Sequence, residues 1–257
     1  TDPKLELLIV EIRFDTGTHE TYQLLTDDSL DALADPRHVR ELVHMMRGDI
    51  RVPAGDGVIE FNVADRLTDG SQELREARVV SSEQSNSSVI FDDQLILKVF
   101  RRLEAGVNPE LELLRFLTER GFENIAQLGG WYAYTGKQMD ATLGILQRFV
   151  ANGEDGWERA LDTIDSAPEA FLDTLRRLGE VTGKMQTLLG SDSNDPNFCP
   201  EQTSVESLGL LTATVDEEIE SVFAGLSEEV PELEPIRGRG EEVRERLRLL
   251  TNLGGTG

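Results

Sequence analysis

The sequence predicts an α+β fold in three parts. These are a β-rich N-terminal cap (1–75), an antiparallel sheet carrying one helix (76–152) and an all-helical segment (153–257). Three observations carry this reading. Short apolar, strand-like runs bounded by turn residues dominate to about residue 150. A single helical pattern interrupts the second block, and apolar residues recur at helical spacing after 153. With 257 residues, 39% of them apolar, the chain is long enough for one large domain or two small ones.

In order, residues 5–14 (LELLIVEIRF) read as a strand, with Ile9, Glu11 and Arg13 on one face and Val10, Ile12 and Phe14 on the other. A turn at 15–17 lets residues 20–25 pair back as a hairpin. Val39, Leu42 and Met46 predict a helix over 37–47, and two short strands near 50–52 and 58–63 flank Gly55-Asp56-Gly57. The polar stretch 66–76 marks a boundary. Residues 77–82, 87–91 and 94–100 read as strands, the last two around the turn Asp92-Asp93, and 101–107 as a loop. Asn108 suits the N-cap of a helix over 109–120, Pro109 its first position and Gly121 its C-terminal end. Strands follow over 129–135 and 138–150. Beyond 153, Ser166-x-x-Glu169 and Thr203-x-x-Glu206 have capping-box spacing. Phe171, Leu175, Leu178, Met185 and Leu189 form one apolar stripe, and Leu208, Leu211, Val215, Ile219 and Val222 a second. A last helix over 240–252 turns Val243, Leu247 and Leu250 inward.

Composition narrows the function classes. Forty-nine acidic residues against 25 basic give a net charge of −24, which repels nucleic acid and anionic membrane surfaces. No apolar run reaches the ~18 residues of a membrane span, and no signal peptide is visible, so a cytoplasmic location is expected. The single Cys199 excludes an internal disulfide and a cysteine-based zinc site. The three histidines (His19, His38, His44) all precede residue 45, so no histidine neighbours a plausible nucleophile. Trp131, Tyr132 and Tyr134 read as core of a strand rather than a sugar platform.

One constellation can carry chemistry. Lys98 sits inside the apolar strand LILKVF, and only four of the 25 basic residues are lysines. A point charge on a flexible stem suits phosphate oxygens; a solvent-facing strand lysine is the plainer alternative. Glu110 and Glu112 follow 12 and 14 residues later, in the first turn of the helix. Carboxylates there compensate the helix dipole in any case. That explanation is preferred for Glu110, whereas Glu112, deeper in the helix, is the expected partner of Lys98. The loop 82–88 contains Ser85, Asn86, Ser87 and Ser88, small groups with backbone amides able to hold phosphate, although it has no glycine. Gln147, Arg148 and Phe149 end a long strand at the start of the helical part, where backbone groups could read an adenine edge. Strand, loop, strand, lysine strand and glutamate helix follow the order of a kinase-like N-terminal lobe, which needs one fixed cation held by a helix carboxylate.

The run SSEQSNSSVIFDDQLILKVFRRLEAGVNPELELLRFL (81–117), with LQRFVANGEDGWERALD (146–162) and the LGEVTGKMQTLLG…NFCPE stretch (178–201), resembles the actinobacterial maltokinase family. That family lies within the aminoglycoside-phosphotransferase-like, protein-kinase-like group. The resemblance implies a cap domain, a nucleotide-binding N-lobe and an intermediate helical segment. It implies ATP- and magnesium-dependent transfer of phosphate to the 1-hydroxyl of maltose, in trehalose and α-glucan (glycogen) metabolism. Fusion to or association with trehalose synthase would fit. By position, Ser85, Asn86, Ser87 and Ser88 would form the phosphate loop. Lys98 would bind phosphates, Glu112 would pair with it, and backbone around Gln147, Arg148 and Phe149 would hold adenine.

Departures from the family pattern shape the expectation. No His-Gly-Asp catalytic loop occurs, and no histidine follows His44. The chain therefore reads as an N-terminal portion with no catalytic residue of its own, inactive as given, its magnesium ligands expected in a lobe beyond it. Glucosamine kinases share the N-lobe features and offer an alternative acceptor. A non-catalytic acidic interaction module reusing the same lobe is the alternative from another class. The apolar stripes after 165 predict packing on a further lobe or a homodimer through residues 170–250.

Overall fold

A computed structural model describes residues 5–27, 31–64, 74–83, 85–137, 139–200, 204–227 and 229–254. The chain divides into two compact units, 1–189 and 190–257.

The first unit is built on two antiparallel sheets. Strands β1 (Glu6–Arg13) and β2 (His19–Thr26) form the expected hairpin, Leu8 opposite Leu24 and Val10 opposite Tyr22. They are joined by β8 (Arg102–Leu103), which pairs Arg102 with Tyr22 and Leu103 with Thr21. The loop expected at 101–107 thus opens with a two-residue strand, too short to leave a periodic signal. Leu5, Leu7 and Ile9 pack inward, while Leu8, Ile12 and Phe14 stay more than 40% exposed.

The larger sheet has seven strands in the order β3-β4-β9-β10-β7-β6-β5. These are β3 (Arg51–Ala54), β4 (Gly57–Val63), β5 (Ala77–Glu83), β6 (Asn86–Phe91), β7 (Leu95–Phe100), β9 (Leu128–Thr135) and β10 (Asp140–Arg148). Strands from before residue 76 therefore extend the sheet formed by those after it. The 66–76 boundary itself falls largely outside the described residues. Asp92 and Asp93 both adopt positive φ (48° and 51°), a conformation that Asp tolerates better than most residues. Their carboxylates support the turn: Asp92 accepts from the amides of Arg75 (3.1 Å) and Glu76 (2.8 Å), and Asp93 from Arg78 (2.9 Å). The two amides lower the Asp92 carboxyl below the usual range.

Helix α1 (Pro36–Arg47) starts where Asp35 accepts from the Arg37 amide (2.8 Å) with Pro36 at its first position. Val39, Leu42, Val43 and Met46 lie fully buried, each worth roughly 1.5–3 kcal/mol of burial. Helix α2 (Pro109–Glu119) starts as expected, Asn108 Oδ1 accepting from the Glu110 amide (2.8 Å). The helix ends before Gly121, whose φ of +69° favours glycine. The Asn108 amide donates to Thr142 Oγ1 of β10 (3.0 Å), which docks the helix start on the sheet.

Buried Gln23 joins the two sheets. Its Nε2 donates to the carbonyls of Phe100 and Leu143 (2.8 Å each), and Tyr132 Oη donates to its Oε1 (3.0 Å). The Tyr132 ring stacks on Phe61 at 5.3 Å and covers Gly144, where a Cβ would fall 2.4 Å from the ring. Burial pushes the Tyr132 phenol well above its usual value.

Helices α3 (Gly156–Ile164) and α4 (Pro168–Leu189) complete this unit. Ser166 does not form the expected capping box: its hydroxyl donates back to the Asp162 carbonyl (2.5 Å), and α4 begins at Pro168. Leu175 and Leu178 of the predicted stripe are 44% and 58% exposed.

The second unit pairs α5 (Val205–Ala224) with α6 (Gly240–Gly254). Its cap is Ser204, whose Oγ accepts from the Ser207 amide (3.1 Å); Thr203 lies outside the described residues. Arg244 of α6 reaches Asp216 (3.3 Å) and Glu220 (2.9 Å) of α5. Leu250 lies outside the residues whose side chains are described, and Val243 is 39% exposed. Among the described residues, no helix is long and apolar enough to cross a membrane.

Candidate functional site

Lys98 lies in β7, opposite Ser88 of β6 and Ile145 of β10. Residues paired across antiparallel strands share a face. Its Nζ contacts Glu110 Oε2 at 2.6 Å, with the two side chains 26% and 34% exposed, and lies 5.7 Å from the Phe100 ring centre. The partner is therefore Glu110, which corrects the expectation of Glu112. At 100° per residue the two glutamates point about 200° apart, so only one can face a given strand. Asn108 and Thr142 fix the helix start so that its second residue faces the lysine.

Around this pair opens a cleft of about 540 Å³. Ser85, Asn86, Lys98, Phe100, Arg102 and Glu104 line one side; Asn108, Pro109, Glu110 and Thr142 contribute to the rest. Of the predicted loop, Ser85 and Asn86 border the cleft. Ser88 is opposite Lys98 in register. Ser87 does not belong with them: it is 5% exposed, and its Oγ accepts from Arg101 Nε (2.9 Å), whose guanidinium also reaches Asp31 (2.7 Å). Alternation along β6 sends it to the opposite face.

The turn is held by backbone. The Ser85 carbonyl accepts from the amides of Arg101 (2.8 Å) and Arg102 (3.4 Å), so the lip of the cleft is anchored to the corner where β7 passes into β8. The sequence reading missed Phe100, Arg102 and Glu104. The signal was the alternation Lys98, Phe100, Arg102, Glu104, one residue in two, which continues past the predicted strand end.

At the other end of the sheet, the Arg148 amide donates to the Gln127 carbonyl (2.9 Å) and the Phe149 amide to the Gln94 carbonyl (2.7 Å). These two donors are already used within the protein. Of the backbone groups expected over 147–149, these two amides serve the sheet and its adjoining loop. The Phe149 ring carries the Arg78 guanidinium 5.6 Å from its centre.

Among the described residues, the only group of three with metal-ligating geometry is Asp27, Asp35 and His38, away from the cleft. Its atoms are engaged: His38 Nε2 bonds Asp27 (2.8 Å), and Asp35 holds the Arg37 guanidinium. The carboxylates of the cleft are Glu104 and Glu110, and Glu110 is engaged by Lys98.

No family model matches the chain. The fold is shared with solved kinases: a glucosamine kinase (crystal form A) superposes with a TM-score of 0.65 at 15% identity, over 97% of this chain and 58% of that one. A glucosamine kinase in complex with glucosamine, ADP and inorganic phosphate gives 0.64 at 15% identity, over 97% and 60%. The architecture is thus a kinase-like α+β fold. In sequence, the chain is similar to a glucosamine kinase of Mycolicibacterium smegmatis, 22% identical over 196 residues, covering 74% of this chain and 47% of the relative. The chain spans about half the length of that curated relative.

Proposed function

We propose that this chain is the cap (1–75), nucleotide-binding lobe (76–152) and helical segment (153–257) of an ATP-dependent sugar kinase. The observation that carries the proposal is the Lys98–Glu110 pair, 2.6 Å across strand and helix, beside the Ser85–Asn86 turn in one open cleft. A lysine held by a helix carboxylate next to a strand–turn–strand is the arrangement that orients nucleotide phosphates. Ser85, Asn86, Ser88 and Lys98 would meet the phosphates, and Glu110 would hold Lys98 extended. Magnesium, which accompanies ATP in such transfers, would take its ligands from residues other than those described in the cleft. As proposed, the phosphoryl acceptor is a sugar hydroxyl.

The similarity to glucosamine kinases favours an amino sugar as acceptor at least as well as the maltose implied by the resemblance of 81–117 to maltokinases. A link to trehalose or glycogen metabolism rests on that resemblance alone. The test is calorimetric titration of a non-hydrolysable ATP analogue with Mg²⁺ into the chain and into Lys98→Ala. Binding to the first, weakened about tenfold or more in the second, is expected for a lost charge-assisted phosphate contact. Equal binding to both would refute the role of Lys98.

A further inference from the structure

We propose that Arg102 is the second phosphate-binding cation of the cleft, exchanging Glu20 for the outer phosphate of a nucleoside di- or triphosphate. The small sheet would thereby supply part of the nucleotide site. The proposal rests on the nucleotide reading above and extends it to a residue outside the kinase-like lysine–glutamate pair.

The cleft needs another positive group. Its ionisable lining is Lys98 and Arg102 against Glu104 and Glu110, a sum of zero, in a chain of charge −24. Lys98 is already opposed by Glu110 at 2.6 Å, so its charge is largely cancelled before a polyphosphate arrives. Arg102 is held less firmly. Its Nη1 contacts Glu20 Oε1 at 3.2 Å, and its side chain is 51% exposed. Such a solvent-exposed ion pair is weak, whereas a guanidinium on phosphate forms strong, paired, charge-assisted bonds. Exchange of Glu20 for phosphate therefore favours the complex.

The backbone is arranged for the exchange. The Arg102 amide donates to the Ser85 carbonyl (3.4 Å) at the lip of the cleft. Pairing with Tyr22 holds Arg102 from the other side. Only the side chain needs to move. Glu20 keeps a partner when Arg102 leaves, because Tyr22 Oη donates to its second oxygen (2.5 Å). Placement on alternate positions after Lys98 directs Phe100 and Arg102 to the same cleft.

The experiment is calorimetric titration of ADP and of AMP into the 257-residue chain and into Arg102→Gln, Glu20→Gln and Arg13→Gln. Arg13 is 82% exposed on the hairpin and carries the same charge, so its variant controls for the general field of the protein. Arg102→Gln is expected to weaken ADP about tenfold and AMP about twofold at most. Glu20→Gln, which frees Arg102, should tighten ADP about two- to threefold. Arg13→Gln should change neither. Equal ADP affinity in wild type and Arg102→Gln would overturn the inference and leave the nucleotide reading standing. So would a loss in Arg13→Gln as large as in Arg102→Gln. Absence of binding of either nucleotide to the wild-type chain would overturn both.

Discussion

Replacing Gln23 by leucine should loosen the first unit more than the loss of one side-chain amide suggests. The amide is fully buried and makes three bonds, to the Phe100 and Leu143 carbonyls and from the Tyr132 hydroxyl. Leucine is close in size, so the cavity cost is small, and the penalty comes from polar groups left dry. The Tyr132 hydroxyl loses its acceptor outright, at about 1–3 kcal/mol, and the two carbonyls add a smaller share each if they keep ladder partners. The expected total is about 2–4 kcal/mol, a large part of the 5–15 kcal/mol typical of a domain. Both tryptophans, Trp131 and Trp157, lie within residues 1–189, so urea unfolding followed by tryptophan fluorescence reports on that unit. The decisive comparison is a double-mutant cycle. Tyr132→Phe alone should cost about 1 kcal/mol, because Gln23 Oε1 loses its donor. In the Gln23→Leu background the same change removes the orphaned hydroxyl and should be neutral or stabilising. Costs that simply add, or a Gln23→Leu penalty below ~1 kcal/mol, would show that this network does not join the sheets.

Two further predictions follow from ion pairs. The Asp35 carboxyl is lowered from 3.8 to about 2, first by the Arg37 side chain and then by the Arg37 amide at the start of α1. A depressed folded-state value means a contribution fully present above pH 3.8 and lost as the pH falls through about 2. The melting-temperature gap between wild type and Asp35→Asn should therefore be full at pH 5 and close toward pH 2; a gap independent of pH would contradict it. In the cleft, Glu110→Gln should raise the rate at which an amine-acylating reagent modifies Lys98 several-fold, because the amine loses the 2.6 Å ion-pair contact that holds it against the helix and becomes more accessible, whereas Glu112→Gln should not. Peptide mapping is simple with four lysines in the chain, and equal rates in the two variants would reject Glu110 as the partner.

Most of the fold was legible because its signals are local. A cap such as Asn108 satisfies a donor two residues on, and turn residues such as Gly55-Asp56-Gly57 act over four. The misread features depend on distant partners. β8 is two residues long and exists only because Tyr22 and Thr21, some 80 positions earlier, present an open strand edge. Ser166 is the exception, misread through a local competitor: it has the spacing of a capping box, yet its hydroxyl bonds the Asp162 carbonyl four residues back, as serine does at the end of a helix. The hairpin's apolar alternation was visible, but not which face is covered: burial goes to Leu5, Leu7 and Ile9 because Gln23 and Leu25 on β2 share that side.

The candidate site shows the same division. Lys98 stood out from the strand around it, since a lone lysine within LILKVF needs a reason to be there. Its partner could not be chosen from depth in the helix, which was the argument for Glu112. Facing is set by rotation about the helix axis, and that rotation is fixed here by the Asn108 amide on Thr142, a contact 34 positions away in sequence. Once that bond is made, Leu111 is committed to the core at 3% exposure, and the residue before it must point toward the strand lysine. The same reasoning separates Ser87 from Ser88: adjacent in sequence and identical in chemistry, they serve opposite faces of β6. One braces Arg101 and Asp31, and the other lies opposite Lys98. A serine-rich strand beside a cleft that holds a lysine should therefore be read at every second position, and the set in register with the lysine is the one to test for ligand contact.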